Sequence, residues 1–233
     1  WINPGIDHFK NNNLFLENKK ERNYIFVIGT NYPHKNIEFA HRIWQSLVMN
    51  NFDIDIIYCG FGCENLEKDL LRKNYCTKIN NAKAIFTTHQ SEENIRNFYK
   101  NCIFSLYPTL SEGFGLVPYE SAIYNTPCLF TSFGPLRELG EHVGAPKDWN
   151  LESYLLIAEK LITSENYRKE YVNKTINFSN KITWSKFMKN FENLIRLKIN
   201  EYSPEKKPKI NELVTLIIYF PIKLIKSLFK IYK

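Results

Sequence analysis

The chain alternates short apolar runs with longer amphipathic stretches, the pattern of a parallel sheet covered by helices on both faces. Tyr24-Ile25-Phe26-Val27-Ile28-Gly29 is almost wholly apolar and predicts a buried strand. Asp55–Cys59 and Ala82–Thr87 predict two more, and Ile103–Pro108 and Cys128–Ser132 continue the series. Between them an amphipathic helix follows His34-Lys35-Asn36 to about Met49, and another runs from Glu64 to about Lys73. Ser91-Glu92-Glu93-Asn94 opens a third in capping-box style, reaching about Lys100. Glu141–Trp149 is short and loop-like, and no sixth strand is legible there. Leu151–Ile162 then carries an apolar stripe, and Glu165–Phe178 is more polar. Trp184 opens a helix with Phe187, Phe191, Leu194 and Ile195 on one face, a stripe expected to pack in a core. The expected fold is a Rossmann-like parallel α/β sheet over residues 10–200, followed by a linker at 201–209 and an amphipathic helical tail at 210–233.

One junction in this alternation carries chemistry. After the run ending at Pro108 comes Ser111-Glu112-Gly113-Phe114-Gly115-Leu116-Val117-Pro118-Tyr119-Glu120-Ser121-Ala122. Pro118 suits the first turn of a helix, and the free N–H groups there suit a phosphate. Glu112 in the turn and Glu120 one turn into the helix are hydrogen-bond acceptors for hydroxyls, as a sugar or ribose offers. A helix cap at Glu112 and a solvent-facing Glu120 form the competing reading.

This Glu-x7-Glu segment, with Phe114-Gly115-Leu116 inside it, resembles the signature of retaining GT-B glycosyltransferases of the family 4 type, the glycosyl transferases group 1. The resemblance implies that Glu112 contacts the donor sugar and Glu120 the ribose, with the amides of Gly113, Phe114, Gly115 and Leu116 on donor oxygens. Gly29 to Lys35 is similar to the family's Gly-x5-Lys, which puts Lys35 on the donor phosphates. Thr30 stands where many members have Arg, so one cation is missing or is supplied by His34. The base is expected near Thr87, Thr88 and His89, chiefly through backbone groups. Phe133–Leu139 resembles the turn lining the sugar edge, with Arg137 where Pro is usual. Residues 1–9, with Asn3-Pro4-Gly5-Ile6-Asp7, resemble the hinge between the family's two domains, which implies that an N-terminal acceptor domain is missing here.

The implied activity is retaining, metal-independent transfer of a hexosyl group from a UDP-, GDP- or ADP-linked sugar to a hydroxyl of a glycan or lipid-linked acceptor. Lys35 and Glu112 would be the catalytic pair, no separate cofactor is implied, and the donor half is expected to be inactive without its partner domain. A non-catalytic nucleotide-sugar-binding domain and a GT-B-like nucleotide-sugar epimerase remain as alternatives. Asp53-Ile54-Asp55 mimics a metal-binding D-x-D, but it lies at a strand entry, opposite the ligand edge.

Composition adds three points. Five scattered cysteines without paired spacing favour reduced thiols in a cytoplasmic setting. A net charge of +7 could serve nucleic acid, anionic membrane or anionic ligand, and no nucleic-acid motif accompanies it. In the tail, Lys223, Lys226, Lys230 and Lys233 fall on one helical face after the apolar Leu213–Phe220, a run too short to span a bilayer. That composition suits a helix lying on an anionic membrane; packing against another domain is the competing reading.

Overall fold

The structure, a computed structural model, describes residues 23–200. The expected hinge at 1–9, linker at 201–209 and tail at 210–233 lie outside those residues. The described chain divides into a first unit ending at Phe187 and a second beginning at Met188.

The first unit is built on six strands: β1 (Tyr24–Ile28), β2 (Asp55–Cys59), β3 (Lys78–Ile79), β4 (Ala82–Thr87), β5 (Phe104–Tyr107) and β6 (Cys128–Phe130). Their order is β3-β4-β2-β1-β5-β6, parallel except for β3 against β4. The helices are α1 (Ile37–Met49), α2 (Leu66–Arg72), α3 (Glu92–Asn101), α4 (Val117–Ile123), α5 (Arg137–Val143), α6 (Leu151–Thr163) and α7 (Glu165–Ser179). A further helix, α8 (Trp184–Asn200), crosses into the second unit.

The strand period of two distributes the apolar runs to both faces. Ile25, Val27, Ile56 and Tyr58 join one core with residues of α1, α2 and α6; Phe26, Ile57 and Cys59 join the other with Tyr99 of α3. The Phe26 ring meets Tyr99 edge-on at 5.1 Å. Trp44 of α1 is fully buried, and its indole N–H donates to the Ile54 carbonyl at 2.7 Å, fixing α1 to the entry of β2.

Two expectations need correction. The end of the expected turn and the start of the expected loop are helical: Arg137–Val143 forms α5 after a 3-10 turn at Gly134–Leu136, and residues 144–150 remain a loop. The stripe on α8 is not core: Phe187, Phe191 and Ile195 are half-buried and Leu194 is exposed. The short antiparallel β3 was not anticipated.

His41, on α1, is completely buried between Tyr58 and Cys76. A neutral ring protonated at Nε2 satisfies both contacts: Nε2–H donates to the Cys76 carbonyl at 3.0 Å, and Nδ1 accepts from the Tyr58 hydroxyl at 2.9 Å. Burial, opposed by the Cys76 bond, lowers its pKa from 6.5 to about 4. Between those values the unfolded chain binds the proton more readily. The group's stabilisation is therefore complete above pH 6.5 and is lost as pH falls through about 4. It is expected to remove about 3 kcal/mol of stability over that window. Denaturant titrations at pH 7 and pH 4 measure it, and His41→Gln should flatten the difference.

Candidate functional site

Because β1, β2, β4, β5 and β6 run parallel, the loops after them emerge at one edge of the sheet. The chain moves from β1 outward through β2 to β4, then returns to the other side of β1 with β5. The order therefore reverses between β1 and β5, the place where open α/β sheets form a ligand crevice. The loops after these two strands carry Lys35 and Glu112.

The two loops are tied together through main-chain atoms. The His34 carbonyl accepts from the Leu110 N–H at 2.7 Å and from the Thr109 hydroxyl at 2.9 Å. The Asn36 amide and the Trp149 indole N–H both donate to the Pro108 carbonyl, at 3.1 and 2.9 Å. Asn36 adopts φ +53, which asparagine tolerates, and this turns the chain from the 3-10 turn at Pro33–Lys35 into α1.

Across this junction Lys35 Nζ lies 2.7 Å from Glu112 Oε1, with the side chains only 18% and 15% exposed. Thr109 Oγ1 lies 2.8 Å from the same oxygen, and Lys35 Nζ is 3.4 Å from the Tyr107 hydroxyl. Burial pushes the Glu112 pKa up, but the bonds from Lys35 and Tyr107 outweigh it, so its carboxyl is held below the usual range. Lys35 and Thr109 both address Oε1, and Oε2 carries neither bond.

Glu120, in the first turn of α4, has the opposite environment. It accepts from the fully buried Tyr99 hydroxyl at 3.3 Å. Burial raises its pKa, against the Tyr99 bond and the nearby charge of Lys35. The sequence-expected carboxylates thus share one cation but differ in proton affinity. Both also act on Tyr107, whose pKa is raised by burial and by the two negative charges.

The remaining expected residues line the same edge. Gly29 packs beneath the Lys35 stem, where an added Cβ would contact Lys35 Cδ and Cε at 3.6 Å. Thr30 follows it, half-buried. The His34 ring lies 5.9 Å from Tyr32. Gly113 is open, with no atom within 4 Å of an added Cβ, while the Phe114 ring stacks on Tyr119 at 5.7 Å. Gly115 has φ +82, and an added Cβ would strike the Leu136 side chain at 2.8 Å, so the turn depends on glycine there. Leu116 precedes α4, and no side chain caps that helix. Thr87 and His89 stand apart from the Lys35–Glu112 pair, at the end of β4, two strands from β1. Thr87 gives its hydroxyl to the Tyr58 carbonyl at 3.1 Å, and His89 is exposed. Asp55 Oδ1 instead accepts from the Lys83 N–H at 2.8 Å, at the start of β2 and away from this edge.

A separate open depression of about 430 Å³ borders the junction, lined by Asn36, Glu38, Phe39, Arg42, Leu110 and Trp149. It contains neither Lys35 nor the two glutamates, so it is distinct from the Lys35–Glu112 junction. Sequence reasoning missed Tyr107, Thr109 and Tyr99, the side chains that hold the glutamates.

The family model described as Glycosyl transferases group 1 matches residues 9–178. The chain belongs to that family. As a group 1 glycosyltransferase domain it is similar to the O-antigen chain mannosyltransferase RfbU of Salmonella typhimurium, 26% identical over 137 residues, covering 55% of this chain and 35% of RfbU. The uncharacterized glycosyltransferase MJ1178 of Methanocaldococcus jannaschii is 27% identical over 183 residues, covering 75% of this chain and 48% of MJ1178. The chain thus spans less than half the length of either relative. Among solved structures, a TarM mutant of S. aureus in complex with fondaparinux, α-GlcNAc-glycerol and UDP superimposes with a TM-score of 0.62. It shares 14% identity, over 77% of this chain and 36% of TarM, and likens the fold alone.

Proposed function

We propose that this group 1 domain binds the nucleotide-diphosphate-sugar donor for retaining, metal-independent hexosyl transfer to an acceptor hydroxyl. The observation that carries the reading is the Lys35–Glu112 contact across the topological switch, with Glu120 within reach of the same charge. A donor diphosphate would draw the Lys35 ammonium, and Glu112 would then accept sugar hydroxyls through Oε2. Glu120, fixed by Tyr99, would accept from the ribose. The amides from Gly113 to Leu116 would meet donor oxygens, with Gly29, Thr30 and His34 beside the diphosphate and Thr87 and His89 beside the base. Lys35 and the amides would stabilise the departing diphosphate, electrostatic catalysis that requires no side-chain nucleophile.

Specific binding raises apparent stability by mass action, so thermal midpoints across UDP-, GDP- and ADP-sugars test the reading. RfbU is named a mannosyltransferase, which makes mannosyl donors the first to try. One donor should raise the midpoint in a saturable way; no shift with any of them would defeat the proposal. Assays with an acceptor, with and without an N-terminal partner domain, separate a transferase from a binding domain. Conversion of the donor without acceptor would indicate an epimerase.

Donor affinity should also fall on acidification in a defined order. Glu120, with its raised pKa, protonates first and loses its role as a pure acceptor, while Glu112, with its lowered pKa, stays ionised. Glu120→Gln should remove that upper step in a plot of affinity against pH and weaken donor binding about tenfold, the size of one lost charge-assisted bond. Persistence of the step in Glu120→Gln would reassign it.

A further inference from the structure

Three side chains meet at the Lys35–Glu112 junction. Lys35 comes from a 3-10 turn and Glu112 from the loop after β5, whereas Tyr107 is the last residue of β5 itself. Tyr107 is in register with Phe130 of β6 and is 4% exposed, so it has the firmest seat of the three. The Lys35 ammonium lies 5.3 Å from the centre of its ring and 3.4 Å from its hydroxyl. That hydroxyl accepts from Lys35 and gives its own proton to Glu112. Burial and the charges of Glu112 and Glu120 keep the proton on the oxygen, so the group remains a donor when the carboxylates are ionised. The Thr109 hydroxyl is less committed. It has a single proton and three oxygen neighbours, Glu112 Oε1 at 2.8 Å and the carbonyls of His34 and Ser111 at 2.9 and 3.2 Å.

We propose that Tyr107 is a positioning residue: when a donor diphosphate draws Lys35 away, its hydroxyl keeps Glu112 aimed at the sugar. The inference rests on the donor reading above. In the free domain Lys35 holds Glu112 at 2.7 Å, and the carboxylate side chain is only 15% exposed. Moving the ammonium onto a diphosphate takes away its nearest counter-charge. A carboxylate left so in an enclosed place takes up a proton or turns out to water, and either change spoils it as a fixed acceptor. Tyr107 prevents both, because its donor is anchored in the sheet and does not leave with the lysine. With Oε1 so held, Oε2 stays directed at the sugar hydroxyls. Tyr107 touches neither sugar nor phosphate in this scheme and acts through Glu112.

Tyr107→Phe keeps the ring under Lys35 and removes only the hydroxyl. Calorimetric titration of the 233-residue chain compares UDP with UDP-glucose, GDP with GDP-mannose and ADP with ADP-glucose. Within the pair that binds, the ratio of the two dissociation constants reads the sugar contact. In Tyr107→Phe that ratio should fall about tenfold, the size of one lost bond to a charged group, while the diphosphate alone binds within about twofold. In a Glu112→Gln background the same change should leave the ratio where it is, since its effect passes through the carboxylate. Without ligand, a carbon-13 titration of the Glu112 carboxyl should show a higher midpoint in Tyr107→Phe, with Lys35 and Thr109 still beside it. An unaltered ratio in the folded variant, an equal loss for diphosphate and diphosphate sugar, or an unmoved Glu112 midpoint each overturns the proposal. If the unmodified chain binds none of the six ligands, the donor reading fails and takes this role with it; a Glu112 midpoint that still rises in Tyr107→Phe then assigns the failure to the ligand and not to the bond.

Discussion

Lys35→Ala is expected to weaken binding of the matching donor about 100-fold while leaving the domain folded. Two effects act in the same direction. The ammonium is a charge-assisted donor in a largely enclosed setting, and such bonds contribute about 1.5–3 kcal/mol. Its removal also leaves Glu112 without its closest counter-charge, 2.7 Å away, so a diphosphate would enter beside an uncompensated carboxylate. Lys35→Arg should recover only part of the loss, because a planar guanidinium does not reproduce a compact ammonium between Glu112 and Tyr107. Calorimetric titration with the donor found in the stability panel measures both. An unchanged dissociation constant in Lys35→Ala would remove the cation from the site.

Gly60→Ala should destabilise the domain by about 4 kcal/mol, overpacking and backbone strain together. Gly60 follows β2 with φ +151, and an added Cβ would lie 2.1 Å from the Gly29 carbonyl oxygen and 2.6 Å from its carbon. Both obstacles are backbone, so no side chain can swing aside. Relief requires the ends of β1 and β2 to separate, yet the Gly29 N–H is bonded to the Cys59 carbonyl at 3.0 Å and the Gly60 N–H to Thr87 at 3.2 Å. The same displacement would carry Gly29 from beneath Lys35, so donor binding should fall with stability. Gly113→Ala is the control: nothing lies within 4 Å of its Cβ, and its stability should barely change. Urea unfolding of the two variants measures the contrast, and near-equal midpoints would contradict the close approach of the two strand ends.

The strands were legible because their runs are apolar throughout and bounded by polar or turn residues; Ala82–Thr87 matches β4 at both ends. The cap at Ser91 was legible for a local reason, since its hydroxyl accepts from the Asn94 N–H at 3.3 Å within one turn. β3 escaped because Lys78 and Ile79 are too few to show a period. α5 escaped because Gly134, Pro135 and Gly140 suggest a turn. Gly140 is required there by packing, since an added Cβ would sit 2.4 Å from Ser132, and no neighbour in sequence announces that. In the site, Lys35, Glu112 and Glu120 stood out as charges near glycine turns. Tyr107 and Thr109 did not, because each lies in or beside an apolar run, and Tyr99 did not, because it sits in the mostly polar sequence of α3. Which glutamate each hydroxyl meets is decided by the placing of β5 beside β1 and by the packing of α3 under the sheet.

The bonds that weld the two charged loops are accepted by the carbonyls of His34 and Pro108, and one of their donors is the Leu110 amide. Backbone groups survive a change of side chain. Residues 34 and 110 can therefore vary through descent without loosening that crosslink, which leaves room for the chemistry beside the junction to drift while the scaffold that aims the cation at the carboxylate endures.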